Sequence, residues 1–547
     1  MKPAKKQPLL PPLSLAIQSY GANGEGISHL PDGMTCFIAG ALRGETCLVQ
    51  LDKVGRSAAW GHVSQVLEPS PARLESDCPH YAACGGCALR HMTYGEELEL
   101  KRQKVQDCLT RIGGCSLPVS VIYGSENTLR YRNKAQFPIS PGPQGPNIGF
   151  YAQRTHAVTD VPDCLLQPES AARLRQALKD YMTAYRVSAY DERAGAGLLR
   201  HLYVRTNQAG ESLCCLLVNG RSLPHEAELV EALRTTEPKL KGVVLGVNER
   251  KTNVILGDSY RTLWGDDFLM DTLRGLTFKL SVPSFYQVNT PQAEVLYGLA
   301  LDFAQLTGAE TVLDLYCGIG TITLCLARKA KRVMGCEIVP EAIGDAVENA
   351  RRNGITNAEF FCGDAQAIAQ RLAQAGTRPQ VVTVDPPRKG LAEQVVASIV
   401  QMDPERVVYI SCDPATLARD VKRFAECGYR LQKAVAVDLF PRTPHVETVC
   451  LLTKLKADKH VEVDLDLSEL DVTAAESKAT YDEIKSYVLE RFGLKVSSLY
   501  ISQVKKKCGL EVGQCYNPPK SGASQQPKCP PEKEAAIRAA LEHFGMI

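Results

Sequence analysis

The sequence predicts an α/β protein whose largest unit is a doubly wound sheet of about seven strands. Three observations carry that expectation. From about residue 290 strand-like apolar runs alternate with helix-period segments, the pattern of a parallel sheet covered on both faces. Before that point short runs broken by glycine dominate, as in a small barrel followed by a mainly β region. After it, an acidic stretch, "DKHVEVDLDLSELD", leads into a small helical extension. With 547 residues the chain is too long for one core.

The elements follow in order. Residues 8–68 hold "SLAIQSYGANGEGISHL", "GMTCFIAGAL" and "ETCLVQLDKVGRSAAWGHVSQVLEP", short strands with regular turn signals that predict an OB-like barrel. Residues 71–285 form the central region. It opens with a cysteine cluster, then "EELELKRQKVQDCLTRIG" (96–113), a helix stopped at Gly113-Gly114. Residues 120–285 read mainly as strands, at "LRYRNKAQFPI", "LRHLYVRTN", "SLCCLLVNG" and "GVVLGVNERKTNVILG". In the first of these Arg130, Arg132 and Lys134 alternate along one predicted strand face beside Tyr131 and Phe137. That is either a surface for an RNA backbone or a solvated face.

Residues 286–456 alternate: "TVLDLY" and a helix from Thr321, "RVMGCEI" and a helix from Pro340, "AEFFCGDA" and "IAQRLAQA", "QVVTVDPP", "RVVYISC" and "PATLARDVKRFAECG", "KAVAVDLF", "ETVCLLTKL". Residues 475–547 form the extension. Thr480 and Glu483 make a capping box there, Gly493 and Gly509 end two helices, and Lys505-Lys506-Lys507 complement a helix end or meet nucleic acid.

Net charge is +2, so nucleic-acid binding has to rest on local patches. No run approaches the ~18 apolar residues of a membrane span. Prolines break the basic N-terminal segment, so a signal peptide is not expected and the protein reads as cytoplasmic. Most of the 20 cysteines are scattered in apolar runs and fit as small buried hydrophobes. Cys412 and the cluster near residue 80 do not.

In "VLDLYCGIGTITLCLA" a strand ends in Asp314, and Gly318 and Gly320 turn the chain into a helix, allowing a ligand close to the backbone. Glu337 ends the next strand, 17 residues after Gly320, where a carboxylate can accept from both ribose hydroxyls. Asp364 ends the third strand, at an adenine position, and Asp385-Pro386-Pro387 ends the fourth. This set resembles the S-adenosylmethionine methyltransferases. Members acting on exocyclic amines carry an aromatic residue after Asp-Pro-Pro, where this chain has Arg388.

Cys412 closes the strand "VVYISC" at a sheet mouth, followed by Asp413 and Pro414. An amine has a lone pair and needs no thiol, whereas C5 of uracil has none. A thiolate adding at C6 makes C5 nucleophilic towards a sulfonium methyl group. A base then removes the C5 proton so that the thiol can leave. Glu447 and His445, in "FPRTPHVETVCLL", stand at the mouth of the last strand, and position alone does not separate them.

"SCDPATLARD" and "HVETV" resemble the nucleophile and base motifs of the RNA uracil-5-methyltransferase family, and "FYQVN" (285–289), "DLYCGIG" and "DPPRKG" its cofactor motifs, over about residues 280–455. The resemblance implies a Rossmann-like methyltransferase domain that uses S-adenosylmethionine, with Cys412 as nucleophile and Glu447 as base. It also implies a cofactor and target-base site of Gln287, Tyr316, Gly318, Thr321, Glu337, Asp364 and Asp385. Thr321 stands where many members carry asparagine, and its hydroxyl can still donate.

Cys78, Cys84, Cys87 and Cys164 could together hold zinc or a 4Fe-4S cluster. Their spacing resembles the iron–sulfur site of the rRNA branch of that family. Residues 8–68 resemble its TRAM module, a barrel that binds RNA. The resemblance implies methylation of uridines in 23S rRNA, with a tRNA T-loop uridine as the alternative. An amine or protein methyltransferase has no use for Cys412 and Glu447. A silent RNA-binding assembly factor would be expected to have lost one of the pair.

Overall fold

The computed structural model describes residues 11–455, 480–510 and 529–547. The acidic stretch 458–471 and the first residues of the predicted barrel lie outside these. The chain forms two compact units, 1–456 and 457–547.

In the first unit, residues 13–68 make a six-stranded sheet in the order Leu13–Ala16, Thr46–Val54, Ala58–Glu68, Thr35–Ala39, Gly26–His29, Ser19–Tyr20. Its two ends meet, since Ser28 Oγ donates to Ala16 O at 2.8 Å. The sheet wraps a core of Leu15, Ile38, Val49 and Ala59.

The central region is less purely β than its sequence suggests. A seven-stranded sheet runs Val158–Asp160, Gly145–Tyr151, Lys134–Gly142, Leu199–Thr206, Ser212–Val218, Leu240–Val247, Ser259–Gly265. Two unpredicted helices, Glu169–Ala184 and Glu226–Thr236, pack on it. The predicted basic strand face at 129–137 does not form. Arg130 adopts a left-handed backbone (φ 52°), and its guanidinium is committed to both carboxylate oxygens of Asp163 at 2.6 Å. The strand therefore begins only at Lys134. The run "GVVLGVNERKTNVILG" likewise stops as a strand at Val247.

The third sheet has eight strands rather than the seven expected. Their order is Ala358–Cys362, Arg332–Glu337, Thr311–Leu315, Val381–Val384, Arg406–Ser411, Glu447–Lys454, Tyr429–Val437, Ile122–Tyr123. The eighth, Ile122–Tyr123, comes from the central region and pairs in parallel with Tyr429–Val437. The first five strands are mutually parallel. Glu447–Lys454 runs antiparallel to both its neighbours.

Both faces are covered, and the period of two in a strand shows why its interior is apolar throughout. Val407 and Tyr409 enter the core shared with helices Tyr94–Arg111, Ala365–Gln374, Glu393–Met402 and Pro414–Glu426. Val408 and Ile410 enter the core shared with Thr290–Ala304 and Thr321–Ala327.

The helix Tyr94–Arg111 is pinned to the loop before Glu447 by buried charge. Lys101, fully buried, donates to Glu97 at 2.7 Å, to Asp438 at 2.6 Å and to Phe440 O at 3.1 Å. Glu97 in turn accepts from the Arg442 backbone N–H at 2.6 Å.

The second unit holds helices Tyr481–Phe492, Ser498–Lys507 and Pro531–His543 around Ile484, Val488, Ile501, Val504 and Ile537. The Thr480–Glu483 capping box is present, and Gly493, at φ 66°, ends the first helix. No helix among the described residues is long and apolar enough to cross a membrane.

Candidate active site

The local sequence around Cys412 sets its position. The strand ends at Ser411, and the side chain of Asp413 caps the next helix by accepting from Ala415 N at 2.9 Å and Thr416 N at 3.1 Å. Pro414 occupies the first turn, where no backbone donor is needed. Cys412 is left between strand and helix, half-buried and free of any disulfide. Because Glu447–Lys454 runs the opposite way, Ser411 pairs with Thr448, and the start of one strand meets the end of the other. Glu447 is 2% exposed at that meeting point.

One cavity of about 700 Å³ opens there. Cys412, Glu447, Gln287, Tyr316, Gly318, Thr321, Glu337, Asp364 and Asp385 all line it. His445 lines it too, as do Arg388, Phe285, Tyr297 and Phe440, which the sequence reading left without a role.

On the cofactor side the backbone does much of the shaping. Tyr316, Gly318 and Gly320 all have left-handed backbones, at φ 71°, 55° and 85°. For Tyr316, which carries a Cβ, this is strained and marks a turn imposed by its surroundings. Glu337 accepts from Gly318 N at 3.2 Å and, through its other oxygen, from Ile338 N at 2.9 Å and Val339 N at 3.0 Å. Asp364 caps the helix from Ala365 by accepting from Gln366 N and Ala367 N. Thr321 Oγ1 lies 3.4 Å from Tyr297 OH. Asp314, the acid that ends the strand before the glycine turn, is not part of the cavity lining. It is buried and accepts from Thr323 Oγ1 at 2.5 Å and Thr383 Oγ1 at 2.7 Å, bracing the turn from behind.

On the reacting side the groups crowd one another. Burial, and then the charge of Asp385, push Glu447 up to about 8, against the pull of Arg388. Burial and the nearby Asp314 push Asp385 up to about 7. Burial, Glu447 and Asp385 push the Cys412 thiol up to about 11, with Arg388 opposing. His445 goes the other way, down to about 4, through burial and then the cations Arg388, Lys104, Lys101 and Arg132. A cavity whose acids are this reluctant to ionise favours a ligand that brings positive charge. Of its two candidate bases, Glu447 is far the stronger.

The four cysteines Cys78, Cys84, Cys87 and Cys164 of the central region lie near enough for charge on one thiol to bear on another. Charge on Cys84 and Cys164 bears on Cys87, and charge on Cys78 bears on both Cys84 and Cys164. Gly86 N donates to Cys84 Sγ at 3.4 Å. Gly85 cannot carry a side chain, because a Cβ there would stand 2.8 Å from Tyr151 O. Among the described residues no group of three or more His, Cys, Asp or Glu is drawn in closely enough to hold a metal ion.

Residues 93–455 match the family model for tRNA (uracil-5-)-methyltransferase. An uncharacterized RNA methyltransferase of Clostridium tetani is 43% identical over 441 residues, 80% of this chain and 96% of the relative. One from Halalkalibacterium halodurans is 42% identical over 442 residues, 80% of this chain and 96% of the relative. Among solved structures, the Pyrococcus abyssi tRNA (uracil-54, C5)-methyltransferase in complex with S-adenosyl-L-homocysteine superposes with a TM-score of 0.66 at 26% identity, covering 81% of this chain and all of that one.

Proposed function

The chain belongs to the tRNA (uracil-5-)-methyltransferase family and is an RNA methyltransferase, and from that premise we propose that it methylates C5 of uridines in 23S rRNA through a covalent adduct at Cys412. The observation that carries the mechanism is the shared cavity. A thiol, a buried carboxyl and an acid-edged cofactor pocket line the same space. S-adenosylmethionine fits that space and supplies the methyl group as a sulfonium. Glu337 would take its ribose and Asp364 its adenine edge, with Gly318 leaving room for it. Gln287, Tyr316, Thr321 and Asp385 complete the site for donor and target base.

Cys412, as thiolate, forms a bond to C6 of the uracil, and the electron pair of the C5–C6 double bond moves to C5. C5 then forms a bond to the methyl carbon as that carbon's bond to the donor sulfur breaks, the electron pair staying on sulfur and leaving a neutral thioether. Glu447 takes the C5 proton, the C5–C6 double bond re-forms and the C6–sulfur bond breaks, returning the thiolate. Arg388 steadies the negative charge that passes between thiol and carboxyl, since it lowers the cost of ionising both. His445, held neutral, takes no proton.

Cys78, Cys84, Cys87 and Cys164 are proposed to hold a 4Fe-4S cluster. What supports the reading is four thiols near enough for charge on one to bear on another, a number that matches the ligands of such a cluster. The group would tie the loop that holds Cys78, Cys84 and Cys87 to the segment at Cys164, which follows the strand Val158–Asp160. Methyl transfer moves no net electrons, so a structural role is favoured over redox chemistry. Protein purified without air is expected to contain about four irons per chain. Stoichiometric zinc without iron would overturn the assignment.

The rRNA target is supported by the barrel, whose Trp60 stacks on Phe37 with ring centroids 6.2 Å apart and carries Lys53 5.3 Å from its ring. Such aromatic and cationic faces suit unpaired RNA. A tRNA uridine is the second reading, favoured by the activity named for the Pyrococcus abyssi relative. Unmodified 23S rRNA and tRNA transcripts incubated with S-adenosylmethionine separate the two. 5-Methyluridine in the first alone is expected, and 5-methyluridine in the second alone would move the target. RNA containing 5-fluorouridine should trap the wild-type enzyme covalently, and Cys412→Ala should give neither adduct nor turnover. An active alanine variant would end the mechanism.

A further inference from the structure

Beside the catalytic cavity lies a second one of about 420 Å³. The two share a wall. Asn133, which lines the second, donates through Nδ2 to Gln287 O at 2.8 Å and Thr290 Oγ1 at 3.0 Å, and Gln287 lines the first. Most polar groups around the second cavity are paired, but three of its lining residues each carry a buried polar atom without a partner among the described residues. Ser170 is 5% exposed and Asn133 8% exposed, yet Ser170 Oγ and Asn133 Oδ1 have no hydrogen-bond partner among the described residues, and neither has Arg132 Nε. Buried polar groups are almost always paired, so three orphans in one cavity call for an occupant.

The orphans have distinct demands. Ser170 sits in the first turn of the helix Glu169–Ala184, whose cap residue, Pro168, offers no side-chain acceptor. A helix start left in this state attracts an anion. Arg132 adds positive charge. Arg130 and Arg173, also on the wall, are already paired with Asp163 and Glu237, both at 2.6 Å. Glu169, the acid on the wall, has a side chain 75% exposed and faces solvent beside Arg173. Asn133 Oδ1 needs something different. Its amide is held by the two bonds from Nδ2, so the oxygen can only accept, and its occupant has to donate.

We propose that this cavity holds a ribonucleotide next to the target uridine. Its phosphate lies against Ser170 and Arg132 at the helix start, and its 2′-hydroxyl donates to Asn133 Oδ1. A donor and an anion side by side describe RNA rather than DNA. The proposal rests on the reading of the substrate as RNA uridine. It adds that the enzyme grips the strand at a fixed step from the flipped base.

The test is Ser170→Asp. A carboxylate in the first turn suits the helix dipole, so the fold should be kept or strengthened, while phosphate is repelled. Dissociation constants are measured for an unmodified 23S rRNA transcript and an unmodified tRNA transcript at several salt concentrations. Melting temperature and S-adenosylmethionine binding are measured alongside. Expected are a five- to tenfold weaker complex, a salt slope smaller by about one, and unchanged melting and cofactor binding. With the modified uridine mapped, methylphosphonate or 2′-deoxy nucleotides are then placed singly beside it. One flanking position should weaken the wild type, and its methylphosphonate should cost the variant nothing further.

RNA binding and salt slope equal to wild type in Ser170→Asp would overturn the proposal, leaving ordered water as the occupant. So would equal sensitivity of both proteins at every flanking position. Absence of 5-methyluridine from both transcripts with wild-type enzyme is a different result. It would defeat the uridine reading, while the binding comparison would still decide the subsite.

Discussion

Glu447 has to be ionised to take a proton, and its surroundings hold it near pH 8. The step it serves, release of methylated RNA from Cys412, should therefore quicken about tenfold per pH unit up to about 8 and level off above. Single-turnover release of a preformed adduct reads this directly. His445, down at about 4, adds no inflection in that range. Glu447→Gln should stall at the methylated adduct and slow release by roughly two to four orders of magnitude, the usual share of a positioned base. A histidine variant that stalls while the glutamine variant turns over would reverse the assignment. Stability carries the opposite sign from rate. A carboxyl raised by folding stabilises fully below its unfolded value, and that contribution is lost as pH rises through about 8. Glu447→Gln should thus gain melting temperature on wild type at pH 9 relative to pH 5. That Cys412 and Glu447 share one cavity was legible in the sequence because both stand at strand ends of the same sheet. Arg388 was not, because its influence on both groups exists only in space. The place of Asp314 behind the turn was hidden for the same reason, since a strand-end acid does not announce whether it faces a ligand or two threonines.

Among the elements, the capped helix after Cys412 and the helix Tyr94–Arg111 do most to place the site. Asp413→Ala removes a cap that satisfies two backbone donors and should cost about 0.5–2 kcal/mol. Its larger effect should be on turnover, because Cys412 immediately precedes the lost cap. Lys101→Met leaves Asp438 buried without its cation and Glu97 with only Arg442, 3.4 Å away, a change worth roughly 3–5 kcal/mol. Thermal melting checks both, with the lysine variant expected to be much the weaker. The alternating strands of the largest sheet were readable because each is a short apolar run with a clear end. Four helices were not, and one of them, Thr290–Ala304, went unread although Asn289 caps it and Pro291 stands in its first turn. The other three, Glu169–Ala184, Glu226–Thr236 and Glu393–Met402, start after Pro168, His225 and Ala392, and none of these makes a side-chain cap bond. The usual start signal is missing in each of the three. The two-residue strand at Ile122 is too short to carry any pattern, and only its pairing with Ala436 and Val437 makes it a strand.

At the scale of the whole molecule, the family match ends at residue 455, and the relatives align over 96% of their own length but 80% of this chain. A chain ending at residue 456 should keep S-adenosylmethionine binding and methyl transfer. Loss of both would mean that residues 457–547 serve the chemistry and not an added task. The buried lysine also sets a schedule. Lys101 and Asp438 are 337 residues apart in sequence. On a ribosome working at about 5–20 residues per second, the lysine emerges on the order of tens of seconds before its partner. Until then the charge has nowhere to be buried, and the helix that carries it has to wait in water or in the grip of a chaperone. Glu447, the proposed base, nine residues after Asp438 in the sequence, arrives almost with the partner that anchors its loop. A nascent chain can thus finish its barrel and its central sheet early, but it stays inert towards RNA until nearly all of the catalytic domain has been made.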